Sequence, residues 1–477
     1  MKEMNDWKRY MPLASLILSV ILLCAAWYLS YPYFLRWLEG YSFFTTLPDF
    51  TRIHYDLPAD LIRYVGAFLL QFYRFPLAGA LIQASLAVLF VCCLWVCIRR
   101  LVDEPRGLLW LAFLPLPWFV HYQMSDLTLT RMLTWILCAF VVMVTVILLT
   151  VRRKQFIRLP KILKSLPVSL TLTMAIMASS AAVLIKGSDL TRGYEEVSRL
   201  EYLAGHRQWE EILNTVSRQD AIENEYQRRY VLLALLATGR LSDEAFCYGL
   251  TSSKDFLFDD VQEPFCLGFN ILFYRTLGMY NPAIYQAYQR AVQSTSGVSF
   301  NTIRFLADSY LATGDHPLAK KYIDILAHST CHRKWVNERL PVLEQLKGQE
   351  PVYPQGGPLF YLDTFLADIS SMYDRYPSDS RFADLLLCGF LADKDGMTFY
   401  RIFEVVSRHL YPDGRNLPRQ YQEALLLIAS KYPEILNRYK IDESVWKQFA
   451  DFTQMMQEGR TAQAKRKYYG TYWAYVY

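Results

Sequence analysis

The sequence predicts an all-α protein: about five transmembrane helices in the first 190 residues, then an α-solenoid of helical hairpins. Three observations carry this. Charge-free apolar runs long enough to cross a bilayer recur between residues 11 and 185 and then stop. Lys and Arg gather in the connections between alternate runs. Past residue 190, segments of helical period break at glycines of near-constant spacing.

Crossing a hydrocarbon core takes about 20 apolar residues in a helix. Residues 11–30 meet this without a charge, and the length of the run reads as an anchor rather than a cleaved leader. Residues 76–98, 132–151 and 166–185 are further spans, and residues 107–122 form a shorter one interrupted by Pro115 and Pro117. Lys2, Lys8 and Arg9 precede the first span. Arg99, Arg100 and Arg106 follow the second, and Arg152, Arg153, Lys154, Arg158, Lys161 and Lys164 lie between the fourth and fifth. Basic residues mark the cytoplasmic ends of spans. Five crossings put all three clusters on that side, with the N-terminus cytoplasmic and the C-terminal region outside. Four crossings would put the six-charge connection on the wrong side.

The rest of the composition fits a two-part chain. Hydrophobic residues make up 53% of the 477, with mean hydropathy +0.10, between the values of soluble and wholly membrane-embedded proteins. Residues 1–186 hold 18 Lys and Arg against 9 Asp and Glu, and the remainder holds 32 against 36. A mildly acidic tail is a poor nucleic-acid binder, because neutralising phosphates needs clustered Lys and Arg. Of nine cysteines, five lie in apolar stretches. Cys247, Cys266, Cys331 and Cys388 are scattered through the tail with no CxxC pair, so neither a zinc site nor a disulfide framework is implied.

The first outer connection, residues 36–75, is long and aromatic. Leu61–Tyr73 is too short to span and carries Arg63, which suits a helix lying in the membrane interface. Asp56 and Asp60 are its candidate catalytic carboxylates, by analogy with membrane glycosyltransferases that keep an acidic residue in this loop. The blander reading is favoured: solvated charges, with Asp60 in the first turn of the Leu61 helix, where the macrodipole welcomes it. The spans themselves carry almost no ionisable residue, His121 and Asp126 coming closest, which argues against a transporter.

In the tail, four segments share an outline of helix, glycine turn, helix, turning at Gly205, Gly239, Gly278 and Gly314, successively 34, 39 and 36 residues apart. Glycine there supplies the positive φ that ends a helix and reverses the chain. Tyr274 and Tyr310 stand four before their glycines, and Ala283 and Ala319 five after. That period and those positions resemble the tetratricopeptide (TPR) repeat over residues 193–330. The regions are then a membrane part, residues 1–189; TPR-like repeats, 190–346; a Pro- and Gly-rich linker, 347–358; and further hairpins, 359–477, closed by the aromatic terminus KYYGTYWAYVY acting as a cap.

The stretches DLIRYVGAFLLQFYRFPLAGAL, QWEEIL, YIDILAHSTCHRKW, LLLCGFLADKDGMTFYRIF, PRQYQEALLL and YGTYWAY together resemble a family of uncharacterised bacterial inner-membrane proteins, in which several spans precede a TPR-like tail. The resemblance covers nearly the whole chain. It implies this architecture in a bacterial inner membrane, and it implies no activity.

Chemistry-bearing motifs are few. His328, Cys331 and His332 form an H-x-x-C-H cluster without the further ligands zinc needs, and read as a helix end. No nucleotide-binding or hydrolase signature occurs in context, and no cofactor is implied. The better site lies on the inner face of the repeats, where Asn301, Arg304 and Asp308 share one side of a helix and Arg275 is their counterpart one repeat earlier. A bidentate Arg there would hold a peptide carboxylate. The expected function is non-enzymatic: an envelope scaffold, resting in membrane lipid, whose repeats bind a protein or peptide partner. The alternative is a glycosyltransferase-like enzyme using Asp56 or Asp60 on a lipid-linked substrate.

Overall fold

The computed structural model describes residues 3–102, 105–152, 165–259, 263–294, 297–351 and 365–477, and among these the chain is helical with no β-strand. In the first part lie α1 (Glu3–Ser30), α2 (Pro32–Tyr41), α3 (Pro48–His54), α4 (Leu61–Leu70), a 3-10 turn (Gln71–Arg74), α5 (Pro76–Leu101), α6 (Leu109–Phe113), α7 (Leu116–Gln123), α8 (Thr130–Arg152) and α9 (Leu166–Lys186). Four of these contain a stretch long and apolar enough to cross a membrane: Tyr10–Ser30, Pro76–Leu101, Thr130–Val151 and Leu166–Lys186. Helix α5 is central, packed between α1 and α8. Its Gly79, Ala80, Ala84 and Ala87 are buried, the small side chains that let neighbouring backbones approach where lipid offers no hydrophobic drive. Helix α8 is mostly uncovered, and Leu137, Phe140, Val141, Leu148 and Leu149 face outward.

The fifth expected span, residues 107–122, is not one of those four. It is two short helices, α6 and α7, meeting at Leu114 and Pro115. Proline lacks an amide hydrogen and crowds the carbonyl four residues back, so it ends the first helix, and Pro117 is admitted in the opening turn of the second. Two contacts locate the broken segment against its neighbours. At its start, the carbonyl of Arg106 accepts from the Ser169 hydroxyl (3.3 Å) near the beginning of α9. At its end, Gln123 Nε2 donates to the Gln83 carbonyl (3.0 Å) near the beginning of α5. The far end of α9 meets the end of α1, where the Tyr31 hydroxyl donates to the Leu184 carbonyl (2.9 Å). Of the six basic residues between the fourth and fifth expected spans, all but Arg152 lie outside the described residues, as does Lys2.

The remainder comprises α10 (Asp189–Gly205), α11 (Trp209–Thr215), α12 (Arg218–Glu223), α13 (Glu225–Ala237), α14 (Leu241–Glu244), α15 (Pro264–Thr276), α16 (Tyr280–Gln293), α17 (Phe300–Ala312), α18 (His316–Ala327), α19 (Arg333–Gln345), α20 (Phe365–Arg375), α21 (Ser380–Ala392), α22 (Gly396–Leu410), α23 (Arg419–Ala429), α24 (Glu443–Gln457), α25 (Thr461–Lys467) and α26 (Tyr472–Val476). Residues 352–358 of the expected linker lie outside the described residues. Six helix ends close in the same way. A residue with positive φ (Arg207, Gly239, Gly278, Gly314, Lys394 or Gly459) is followed by one whose amide reaches back five residues to a helix carbonyl. Those bonds are Gln208 to Leu203, Arg240 to Leu235, Met279 to Tyr274, Asp315 to Tyr310, Asp395 to Phe390 and Arg460 to Met455, at 2.8–2.9 Å. This is the closure that satisfies the last carbonyls of a helix.

The first turn therefore falls at Arg207, not at Gly205, which stays inside α10. Arg207 has φ 57°, where an L side chain is strained by about 1 kcal/mol relative to glycine. Its side chain is exposed and makes no hydrogen bond or ion pair among the described residues. Arg207→Gly is expected to raise stability by about 0.5–1 kcal/mol, read as a small increase in thermal midpoint. A midpoint that falls would show that the side chain matters more than the backbone.

Contacts divide the chain into two compact units that interleave along the sequence. The first comprises residues 1–199 and 291–353, and so joins the four long apolar helices to α17–α19. The second comprises residues 200–290 and 354–477. In the second, α13 and α21 are buried all round, as in the middle of a helical core. Its aromatic C-terminus is packed inside: Trp473 is 0% exposed beside Phe449, and the Tyr475 hydroxyl donates to the Thr251 and Ala392 carbonyls.

Candidate functional site

In the first unit the densest polar chemistry is buried between α2 and α17. Helix α2 begins at Pro32 and turns Phe34, Leu35, Trp37 and Leu38 inward, and Glu39 shares that buried surface at 2% exposure. The next residue, Gly40, is glycine, and a Cβ there would lie 2.3 Å from Asn301 Nδ2 and displace that amide. Glu39 Oε2 accepts from Arg304 Nη2 (3.1 Å), and Glu39 Oε1 accepts from His332 Nε2 (2.9 Å). Arg304 also donates to Asn301 Oδ1 (2.6 Å). His332 Nδ1 meets the Ser329 hydroxyl at 2.9 Å, and Phe300 stacks on the imidazole at 4.3 Å between centroids.

Burial alone would raise the Glu39 carboxyl. Arg304, the His332 hydrogen bond and charge, and Arg74 outweigh it and hold the group at about 2. Burial pushes His332 down, the Glu39 hydrogen bond and charge oppose it, and Arg304 and Arg74 add to the fall. At neutral pH the arrangement is thus a Glu39–Arg304 ion pair beside a neutral histidine, which donates from Nε2 to Glu39 and accepts at Nδ1 from Ser329. A serine, a histidine and a glutamate in a chain resemble a nucleophile relay. Ser329, His332 and Glu39 are 1%, 0% and 2% exposed, so no substrate reaches the hydroxyl. What the cluster does is fasten α17–α19 to the connection between α1 and α5. Backbone bonds reinforce it: Phe300 N to the Ser42 carbonyl (2.8 Å) and Thr46 N to the His328 carbonyl (3.2 Å).

The residues picked from sequence are placed as follows. Asn301 and Arg304 are together, but inside this cluster rather than on an open face. Asp308 is held by Arg339 through both carboxylate oxygens (2.5 and 3.1 Å), with the guanidinium 3.7 Å from the Trp335 ring centroid. Arg275 belongs to the other unit, where its Nη2 donates to the Gly205 carbonyl (3.0 Å) at the end of α10. Asn301 and Arg304 meet one turn apart on α17, whereas Asp308 pairs with Arg339, and the group covering Arg304 stands 265 residues away in sequence.

Asp60 precedes α4; its Oδ2 accepts from the Asp56 amide (3.1 Å) and its Oδ1 from Arg63 (3.1 Å). These bonds hold its carboxyl below the usual range, unsuited to general-base work at neutral pH. It is the backbone of Asp56 that meets Asp60, and the Asp56 side chain is exposed. His328, Cys331 and His332 do not converge: among the described residues no group of His, Cys, Asp and Glu is arranged to hold a metal. Cys247, Cys266, Cys331 and Cys388 are free thiols.

Besides Glu39, several carboxyls whose pKa burial raises escaped the sequence reading. Glu195 accepts from the amides of Tyr33 (3.2 Å) and Phe34 (2.7 Å), capping α2, and burial pushes it up to about 7. In the second unit, Asp384 accepts from the Tyr421 hydroxyl (2.7 Å) and burial pushes it up to about 6. Glu423 accepts from Arg419 (2.9 Å) and the Tyr472 amide (2.7 Å), and burial pushes it up to about 7. The one available signal was an acidic residue inside an apolar helical stretch, as in RWLEGY around Glu39.

The second unit also carries an open groove of about 760 Å³, where the α13–α14 turn faces the connection from α20 to α21. Leu236, Gly239, Tyr376 and Arg381 line it. Tyr376 is 40% exposed, and Arg381 is held toward the groove by Asp379 and the Thr276 carbonyl. It offers an apolar floor and an aromatic rim, with the Arg381–Asp379 ion pair at its edge.

A model described as a family of unknown function, DUF6057, matches residues 7–186 and again 155–477. No curated protein and no solved structure matches the chain.

Proposed function

The chain belongs to DUF6057, a family with no assigned activity, and from the geometry we propose that it is a membrane-anchored scaffold whose helical hairpins bind a protein or peptide partner. It sits in a bacterial inner membrane with the N-terminus cytoplasmic and the C-terminal region extracytoplasmic. The observation that carries the binding role is the groove of Leu236, Gly239, Tyr376 and Arg381, set among hairpins closed in one repeated way. Stacked hairpins of this kind, TPR-like in period, form an α-solenoid that presents concave surfaces to extended peptides. Tyr and Arg are the residue types that anchor such contacts.

Five crossings fit better than four. The broken segment begins beside the first turn of α9 and ends beside Gln83, about two turns into α5. Its 16 residues from Leu108 to Gln123 reach about 24 Å at 1.5 Å per residue, close to a hydrocarbon thickness of about 30 Å. This returns every basic cluster to one side.

The test is cross-linking of the full-length protein in native membranes, followed by purification through a C-terminal tag. A stoichiometric partner that disappears with Tyr376→Ala, while the protein still inserts, is the expected result. No partner above background sinks the scaffold. The enzyme reading retains only the exposed Asp56, and a phenotype abolished by Asp56→Asn with Asp60→Asn would revive it.

A further inference from the structure

Arg74 ends the 3-10 turn that α2 packs against, two residues before α5 begins at Pro76. Facing it are Arg304, Glu39, Cys331 and Arg36. The carboxylate of Glu39 is already satisfied by Arg304 and His332. With His332 neutral, Arg304 and Arg74 stand as two guanidiniums beside the one carboxylate of Glu39. Arg74 itself makes no hydrogen bond and no direct ion pair among the described residues, although it is half-buried. A guanidinium carries five donors, and partial burial without an acceptor is costly. The position calls for an anion.

What lies beside Arg74 says which kind. Phe75 and Leu77 follow it directly in the chain and are exposed, at 56% and 60%. From Leu77 an outward stripe continues down α5 at four-residue spacing through Leu81, Ser85 and Leu89. Spacing of four keeps side chains on one helix face. A cationic end and an apolar strip on one helix complement an amphiphile with an anionic head, not a free ion or a soluble peptide.

We propose that Arg74 binds the phosphate of an anionic phospholipid whose acyl chain lies along Leu77, Leu81 and Leu89 of α5. The site rests on the reading of α5 as a membrane span and is independent of the groove in the other unit. Arg74 donates a planar fork to two phosphate oxygens, which a lysine ammonium cannot reproduce. The net positive charge around it selects an anionic head over a zwitterionic one.

The experiment is native mass spectrometry of the full-length protein from detergent micelles doped with equal phosphatidylglycerol and phosphatidylcholine, paired with thermal unfolding. The expected result is one phosphatidylglycerol retained, at about tenfold preference over phosphatidylcholine, and a rise in thermal midpoint with the anionic lipid. Arg74→Gln abolishes both, and its midpoint in lipid-free detergent does not fall, because a like charge has left the side of Arg304. Arg74→Lys, which keeps charge and bulk, retains lipid about threefold less well; this variant decides the matter if Arg74→Gln misfolds. Equal retention of the two lipids, or wild-type retention by Arg74→Lys and Arg74→Gln, overturns the proposal. Stabilisation by millimolar inorganic phosphate equal to that by phosphatidylglycerol overturns it too, assigning Arg74 to a soluble anion. A chain that leaves the membrane fraction without detergent would instead remove the underlying membrane reading.

Discussion

Arg304→Met is expected to destabilise the first unit by about 3–5 kcal/mol, the usual cost of leaving one member of a buried ion pair without its counter-charge. Glu39 would stay 2% exposed with a neutral histidine as its one remaining side-chain hydrogen-bond partner, and with only Arg74, which makes no hydrogen bond to it, as a nearby cation. The protein would answer by drawing in water or by releasing α17–α19. For a chain of this size each kcal/mol moves the thermal midpoint by roughly 2–4 °C, so a fall of about 10 °C is the expected readout. Glu39→Leu with Arg304→Met should recover much of the loss, because burying neither charge avoids both desolvation penalties. The pair also decides between roles. A residue that greets a partner from an open helix face can be changed with little effect on unfolding. Wild-type stability in Arg304→Met would therefore return Arg304 to the binding surface expected from spacing.

The second large effect is on pH. The carboxyls of Glu195 and Glu423 stand at about 7 and that of Asp384 at about 6, all raised by burial from ordinary values of 4.5, 4.5 and 3.8. The folded chain holds these protons more tightly than the unfolded chain does. Each contribution is complete below the ordinary value, declines as pH rises, and is gone above the folded value. For Glu423 alone the range is about 3 kcal/mol, at 1.36 kcal/mol per unit. Glu39 acts oppositely: its contribution is complete above 4.5 and is lost as pH falls toward about 2. Stability should therefore peak near pH 5 and decline by several kcal/mol between pH 5 and 8. Glu423→Gln removes one ionisation and should make the protein more stable than wild type at pH 8, with a smaller difference at pH 5. Thermal unfolding in detergent across pH 4–9 reads both, and a wild-type curve flat from pH 5 to 8 would refute the assignment.

What the sequence revealed and what it hid follow from the range of the forces involved. Apolar runs and glycine turns are local, so the helical class, the four long apolar helices and the turns at Gly239, Gly278 and Gly314 were readable. The turns at Arg207 and Lys394 were not, because those residues adopt a conformation that glycine usually advertises. Pro115 was visible as an interruption, but its outcome, two helices in place of one, depends on the α9 surface against which both pack. The Asp60–Arg63 pair was legible at three residues' separation. Glu39 and Arg304 were not, since nothing in either neighbourhood names the other. The groove of the second unit is assembled from residues near 236 and 376, and no single window contains it.

The ion pair also sets an order of events during biosynthesis. Glu39 leaves the ribosome 265 residues before Arg304. At a synthesis rate of about 5–20 residues per second, that delay is on the order of 15–50 s. On the proposed membrane reading, α1, α5, α8 and α9 can already be inserted during this interval, while the acidic residue beside them has no cation from the missing hairpin to neutralise it. The N-terminal portion would then be committed to the bilayer early and locked late, its lock delivered by a segment made only after residues 200–290 of the other unit have emerged. A ribosome that stops before Arg304 would leave an inserted but unlatched chain, a natural substrate for quality-control proteolysis.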